Sequence, residues 1–190
     1  MSAIILASQS PRRKMLLEWA EIPFEVVVAD IEETYPLDLS KQLVPEYIAA
    51  NKALAIKEKL TEQDACIIAA DTIVLLKAEI LGNPTYEADA IRSLEKLSGN
   101  LHEVITGVAI YYKGEMHQFS QTTKVQFHKL TKDQIQFYVE RYKPFDKAGA
   151  YAIQEWIGVI GIESIQGDFY NVMGLPVSTL VQKLRQLGVV

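Results

Sequence analysis

Apolar positions along the chain alternate between short continuous runs and helical stripes, and their order predicts the elements. Ala3–Ala7 is a brief apolar run, the pattern of a buried strand. Ser10-Pro11 follows it, a capping hydroxyl with proline in the first turn, which predicts a helix over Pro11–Ala20. Phe24–Val28 predicts a second strand, and the polar stretch Ile31–Leu43 a loop. Helical spacing returns over Pro45–Leu60, with Tyr47, Ile48, Leu54, Ala55 and Leu60 placed to form a buried face. Cys66–Leu76 reads as a strand interrupted by Asp71-Thr72. Thr85–Leu97 predicts a helix, stopped by Ser98-Gly99-Asn100.

Further on, Val104–Tyr112 and Met116–Phe127 flank Lys113-Gly114, which predicts an antiparallel hairpin. Thr131 and Gln134 form a capping-box pair that opens a helix to about Arg141. Phe145–Ile153 is rich in small residues, Val159–Ser164 reads as a strand, and Val177–Leu187 as a closing amphipathic helix. No repeat or low-complexity segment interrupts this order. Alternating strands and helices with one antiparallel hairpin imply an α/β fold on a mixed sheet.

Composition narrows the function classes. The 190 residues are 49% apolar and 23% charged, ordinary globular proportions for one domain with its own core. No apolar run approaches the roughly 18 residues of a membrane span. At the N-terminus the apolar stretch precedes the basic cluster, the reverse of a signal peptide, so neither membrane nor secretion is expected. Cys66 is the single cysteine; in the run CIIAA it reads as a small buried hydrophobe, and its rarity makes the cytoplasm the expected compartment. A net charge of −5 argues against a general nucleic-acid surface. An anionic ligand must then be met by local basic groups, backbone N–H groups or metal ions.

His102, His117 and His128 match no metal-ligand spacing, and no Walker loop, G-x-S-x-G or G-x-G-x-x-G occurs. Trp19 and Trp156 read as packing residues. Ser8-Gln9-Ser10-Pro11-Arg12-Arg13, between a strand and a helix start, offers hydroxyls, guanidiniums and free N–H groups that suit a phosphate chain. An ordinary capped helix with two surface arginines would read the same. Asp71 sits between Ile67-Ile68-Ala69-Ala70 and Ile73-Val74-Leu75-Leu76, where an uncompensated carboxylate costs several kcal/mol. Such a group can bind Mg²⁺, deprotonate a water, or cap local backbone N–H groups. Further groups lie at Glu33, Lys52, Lys147, Gln154 and Asp168. Small residues around Asp146-Lys147 let the backbone approach a ligand closely.

Taken in order, LASQSPRR, IEE, Lys52-Ala53, AADTIV, LSGNLHEVITGV, FDKAGAYAIQ and NVMGLPVSTL resemble the Maf family of nucleoside triphosphate pyrophosphatases, from Ile5 to about Leu184. The resemblance implies a Maf/inosine-triphosphatase-like mixed β-sheet flanked by helices, one domain over residues 1–190, with two lobes around a long cleft. It implies hydrolysis of dTTP and UTP, or modified pyrimidine nucleotides, to the monophosphate and pyrophosphate, with Mg²⁺, Mn²⁺ or Co²⁺. By position, Asp71 looks like the proton acceptor and a metal ligand, and Glu33 is a candidate metal or water ligand. Ser8, Ser10, Arg12 and Arg13 would hold the triphosphate, and Lys52 and Lys147 would add positive charge. Arg12, Thr72 and Gln154 match the pyrimidine branch. The family also contains 7-methyl-GTP pyrophosphatases, and its name is associated with regulation of septum formation; both stand as alternatives. A homodimer is expected at family level. Three positions depart from the pattern: Asn83 for a lysine, Ala152 for a glycine, and Glu155 where a glycine often follows.

Overall fold

A computed structural model describes residues 3–28, 31–60 and 65–190. Its strands follow the apolar runs. β1 (Ile4–Leu6) lies between β2 (Glu25–Val26) and β3 (Cys66–Leu76), parallel to both, with Ile5 opposite Glu25 and Ile67. Both β1 and β3 are buried along almost their whole length, as parallel strands covered on two faces are. β4 (Glu79–Leu81) folds back antiparallel on β3, setting Leu81 opposite Val74. β5 (Leu101–Tyr112) and β6 (Glu115–Phe127) form the expected hairpin. Its turn residues Lys113 and Gly114 have φ of 50° and 83°, as a two-residue hairpin turn requires. β7 (Ile162–Gln166) pairs antiparallel with β6, completing the order β2-β1-β3-β5-β6-β7 with β4 on β3. The fold is α/β on a mixed sheet, as expected.

The helices are α1 (Pro11–Trp19), α2 (Val44–Lys59), α3 (Glu87–Leu97), α4 (Lys132–Tyr142), α5 (Trp156–Gly161), α6 (Phe169–Met173) and α7 (Val177–Gln186). Ser10 caps α1, and Thr131 with Gln134 forms the capping box of α4. Contacts divide the chain into two compact units. The first contains Met1–Asp71, Thr106–Gln121 and Gly174–Val190, and the second Thr72–Ile105 and Thr122–Met173.

In the first unit, Ile5, Ala7, Ile67, Ala69 and Ala109 of the sheet region pack with Ala49, Ala53 and Ile56 of α2. This is only in part the helix face that spacing suggested: Ile48 is buried and Leu60 packs against the same cluster, but Tyr47 and Leu54 point outward, 37% and 41% exposed. Gly107 explains the rotation. A Cβ there would lie 2.2 Å from the Glu46 nitrogen, so β5 and the start of α2 meet backbone to backbone. Only small side chains fit such a close approach, and α2 turns its alanines inward.

β3 has the expected bounds and runs unbroken through Asp71-Thr72, where Asp71 has a charged partner, described below. Two further expectations are corrected. Val159–Gly161 is helical, the end of α5. Inward Ile157 and outward Val159, two residues apart, lie on opposite sides of a helix, whereas a strand would place both on one face. Trp19 is 61% exposed and packs no core, whereas Trp156 meets the Phe137 ring edge-on.

The second unit centres on a trio of rings. His102, Phe127 and Tyr151 are buried and meet edge to face, with centroids 5.0–5.5 Å apart. His102 Nε2 lies 2.7 Å from the Tyr151 hydroxyl. Burial pulls the His102 pKa down to about 4, against a smaller upward pull from the Asn100 backbone. The unfolded chain, with an ordinary histidine pKa near 6.5, therefore takes up the proton first. Stability from this group is full above about pH 6.5 and declines as pH falls toward about 4, by about 3 kcal/mol in all. Urea denaturation across that range should show wild type losing stability more steeply than His102→Gln.

Candidate active site

The phosphate-loop candidate is an ordered brace at the end of β1. Ser10 Oγ accepts from the Arg13 N–H at 3.5 Å, and Ser8 Oγ accepts from the Ser10 N–H at 3.2 Å. Arg13 turns inward, contrary to the surface-arginine alternative. Its Nη1 donates to Ser8 Oγ at 3.2 Å and its Nε to the Gly174 carbonyl at 2.8 Å. Burial lowers the Arg13 pKa, and repulsion from Arg12 lowers it further, while attraction to Asp71 and Glu33 opposes both. A guanidinium keeps its proton through such a change. Arg12 is half-buried on the same turn.

Lys52 joins the remaining candidates of the first unit. From the third turn of α2 its Nζ lies 2.6 Å from Glu33 Oε1 and 2.9 Å from Asp71 Oδ1. Asp71 is buried, and Lys52 is the partner its position in an apolar strand demanded. The side chain of Glu33 is 56% exposed, so this group runs from the interior to solvent. Seven expected site residues thus lie in the first unit: Ser8, Ser10, Arg12, Arg13, Glu33, Lys52 and Asp71.

Thr72, Lys147 and Gln154 belong to the second unit. Lys147 is buried, with Nζ 2.7 Å from Asp146 Oδ1 and 3.5 Å from Glu155 Oε1. The following turn needs Gly149: its φ is +67°, and a Cβ would meet Val74 at 3.0 Å. The Gly149 N–H donates to the Gly82 carbonyl at 3.1 Å, which sets the segment before exposed Asn83 beside the Lys147 loop. Gln154 is exposed on the turn before α5, and Thr72 is half-buried in β3. Asp168 has a local task, its Oδ1 accepting from the Tyr170 N–H at 2.8 Å. Sequence reasoning noted Glu155 only as a departure from a pattern. Its signal as a Lys147 partner, eight residues away across a small-residue turn, was not local.

A family model described as Maf-like protein matches residues 3–187. The chain belongs to the Maf family. Over 97% of its length it is 50% identical to a dTTP/UTP pyrophosphatase of Cytophaga hutchinsonii, covering 84% of that protein. A dTTP/UTP pyrophosphatase of Porphyromonas gingivalis is 48% identical, with 97% and 94% covered, and one of Phocaeicola vulgatus 49%, with 97% and 95% covered. Among solved structures, a HAM1 protein from Coxiella burnetii superposes with a TM-score of 0.53 at 16% identity, covering 96% of this chain and all of that one. That likeness concerns the fold alone. Among the described residues of this Maf protein, no helix is long and apolar enough to cross a membrane.

Proposed function

We propose that this Maf protein hydrolyses dTTP and UTP to the nucleoside monophosphate and pyrophosphate. The observation that carries the reading is Asp71, a buried strand carboxylate held on one oxygen by Lys52, in a chain about half identical to dTTP/UTP pyrophosphatases. We assign Asp71 as the general base, with Lys52 fixing Oδ1 and leaving Oδ2 to accept a proton from water. The water oxygen bonds to the α-phosphorus as the bond from that phosphorus to the bridging oxygen breaks, and pyrophosphate leaves. Ser8, Ser10, Arg12 and Arg13 are assigned to the triphosphate, where a helix start and guanidiniums offset its charge. Lys147 is assigned a phosphate contact by its place in the family motif, and Thr72 and Gln154 contacts to the nucleoside.

Glu33 and Asp71 supply hard carboxylate oxygens that meet at one ammonium, a donor set suited to a divalent cation at a triphosphate. Among the described residues no group of three acidic, histidine or cysteine side chains gathers; the other ligands of such an ion would come from phosphate and water. Mg²⁺, Mn²⁺ or Co²⁺ bound there would neutralise phosphate charge and polarise the reacting phosphorus.

The neutral Gln154 amide both donates and accepts, which matches the edge of uracil or thymine; a cationic 7-methylguanine calls for a carboxylate instead. A site built on such bonds rejects bases that leave its polar groups unpaired. Turnover of dTTP, UTP and 7-methyl-GTP under one set of conditions tests the assignment. Higher kcat/KM for both pyrimidine nucleotides is expected, and faster 7-methyl-GTP hydrolysis would overturn it.

A further inference from the structure

The Tyr138 hydroxyl, deep in the second unit, holds both ends of the turn that carries Gln154. Ala152 to Glu155 form a four-residue turn closed by the Glu155 N–H donating to the Ala152 carbonyl at 3.1 Å. Gln154 occupies its exposed corner. Tyr138, fully buried on α4, donates its O–H to Glu155 Oε2. The Tyr138 hydroxyl oxygen in turn accepts from the Ala152 N–H at 3.3 Å. One phenol therefore uses its donor on the last residue of the turn and an acceptor position on the first.

Its ring leaves little room for that oxygen to wander. Tyr138 stacks on Tyr142 with centroids 5.0 Å apart, and α4 is fixed by its capping box and by packing on α3. Just before the turn, Tyr151 is held by His102. Nothing comparable holds Gln154 directly: among the hydrogen bonds described, none involves its side-chain amide, and the backbone of the turn sets the point from which that side chain reaches out.

We propose that Tyr138, acting through Ala152 and Glu155, is a positioning residue for pyrimidine selection. This rests on the assignment of Gln154 to the base. A hydrogen-bonding amide discriminates between bases only while its oxygen and nitrogen are held in register with the base edge. Loosening the turn lets the amide re-aim, and a base with the opposite donor pattern, such as cytosine, is then tolerated. Glu155 is the partner that makes the clamp two-ended, a role that glycine at this position could not fill.

The test compares kcat/KM for UTP and CTP in wild type, Tyr138→Phe, Glu155→Ala, Glu155→Gln and Gln154→Ala. Inhibition by inorganic tripolyphosphate, which has no base, is measured alongside. Tyr138→Phe and Glu155→Ala should each lower the UTP:CTP ratio about tenfold, the effect of roughly one lost hydrogen bond. The loss should fall on KM for UTP, with tripolyphosphate inhibition unchanged in Tyr138→Phe. Glu155→Gln, which keeps an oxygen for the Tyr138 hydroxyl, should retain most of the ratio. If Tyr138→Phe does not fold, the contrast between the two Glu155 variants decides the matter. A wild-type ratio in Tyr138→Phe, or equal ratios in Glu155→Ala and Glu155→Gln, overturns the proposal while leaving the pyrimidine reading intact. Weaker tripolyphosphate inhibition in step with a lower ratio also overturns it, since the change would then be general. A wild-type ratio in Gln154→Ala, or no UTP preference in wild type, instead removes the base assignment beneath it.

Discussion

Asp71→Asn lowers kcat for UTP by about a hundred- to ten-thousand-fold, the usual cost of removing a general base. The substitution is nearly isosteric, and its amide oxygen still accepts from Lys52 Nζ, so β3 and α2 keep their contact. What disappears is the capacity to take a proton. KM should change far less than kcat, because the groups assigned to the triphosphate remain in place. Steady-state kinetics with a thermal melt check both halves: a folded variant with near-wild-type kcat would move the base elsewhere, Glu33 being the next carboxylate on Lys52.

Arg13→Lys produces the second large effect, on stability and substrate binding together. The guanidinium spans from the Gly174 carbonyl to the Ser8 hydroxyl with two different nitrogens. A single ammonium on a flexible stem cannot reproduce that fork. One buried acceptor then loses its charged partner, which costs about 1–3 kcal/mol of folding stability. KM for UTP should rise roughly ten- to a hundredfold, because the helix start assigned to the triphosphate is no longer braced. Urea denaturation and a KM determination on the same preparation check the pair. Wild-type stability would mean that the brace contributes nothing, and an unchanged KM would remove Arg13 from substrate binding.

Local chemistry was the legible part of the sequence. Ser10-Pro11 and Thr131-Gln134 announced their helices because capping depends on residues three apart or fewer. The Lys113-Gly114 turn announced its hairpin for the same reason. Burial of α2 was legible only in part, at Ile48 and Leu60, because its face is set by Gly107, more than fifty residues away, whose missing side chain brings β5 against the helix. Asp71 stood out as a carboxylate in an apolar strand, but its partner could not be read, since Lys52 on its own looks like any helical lysine. Arg13 was assigned to phosphate without its structural task, because the Gly174 carbonyl is invisible to a local motif. Glu155 shows the same limit: a departure from a pattern in sequence, and in space the residue that links Lys147 to Tyr138.

Hydrolysis of UTP in heavy-oxygen water tests the central claim most directly, because it reports the bond broken and the atom attacked at once. A base at Asp71 that directs water to the α-phosphorus predicts UMP and pyrophosphate as the products. Mass spectrometry should find the heavy oxygen in UMP and none in pyrophosphate. UDP with labelled inorganic phosphate, or label in pyrophosphate with none in UMP, would contradict the account.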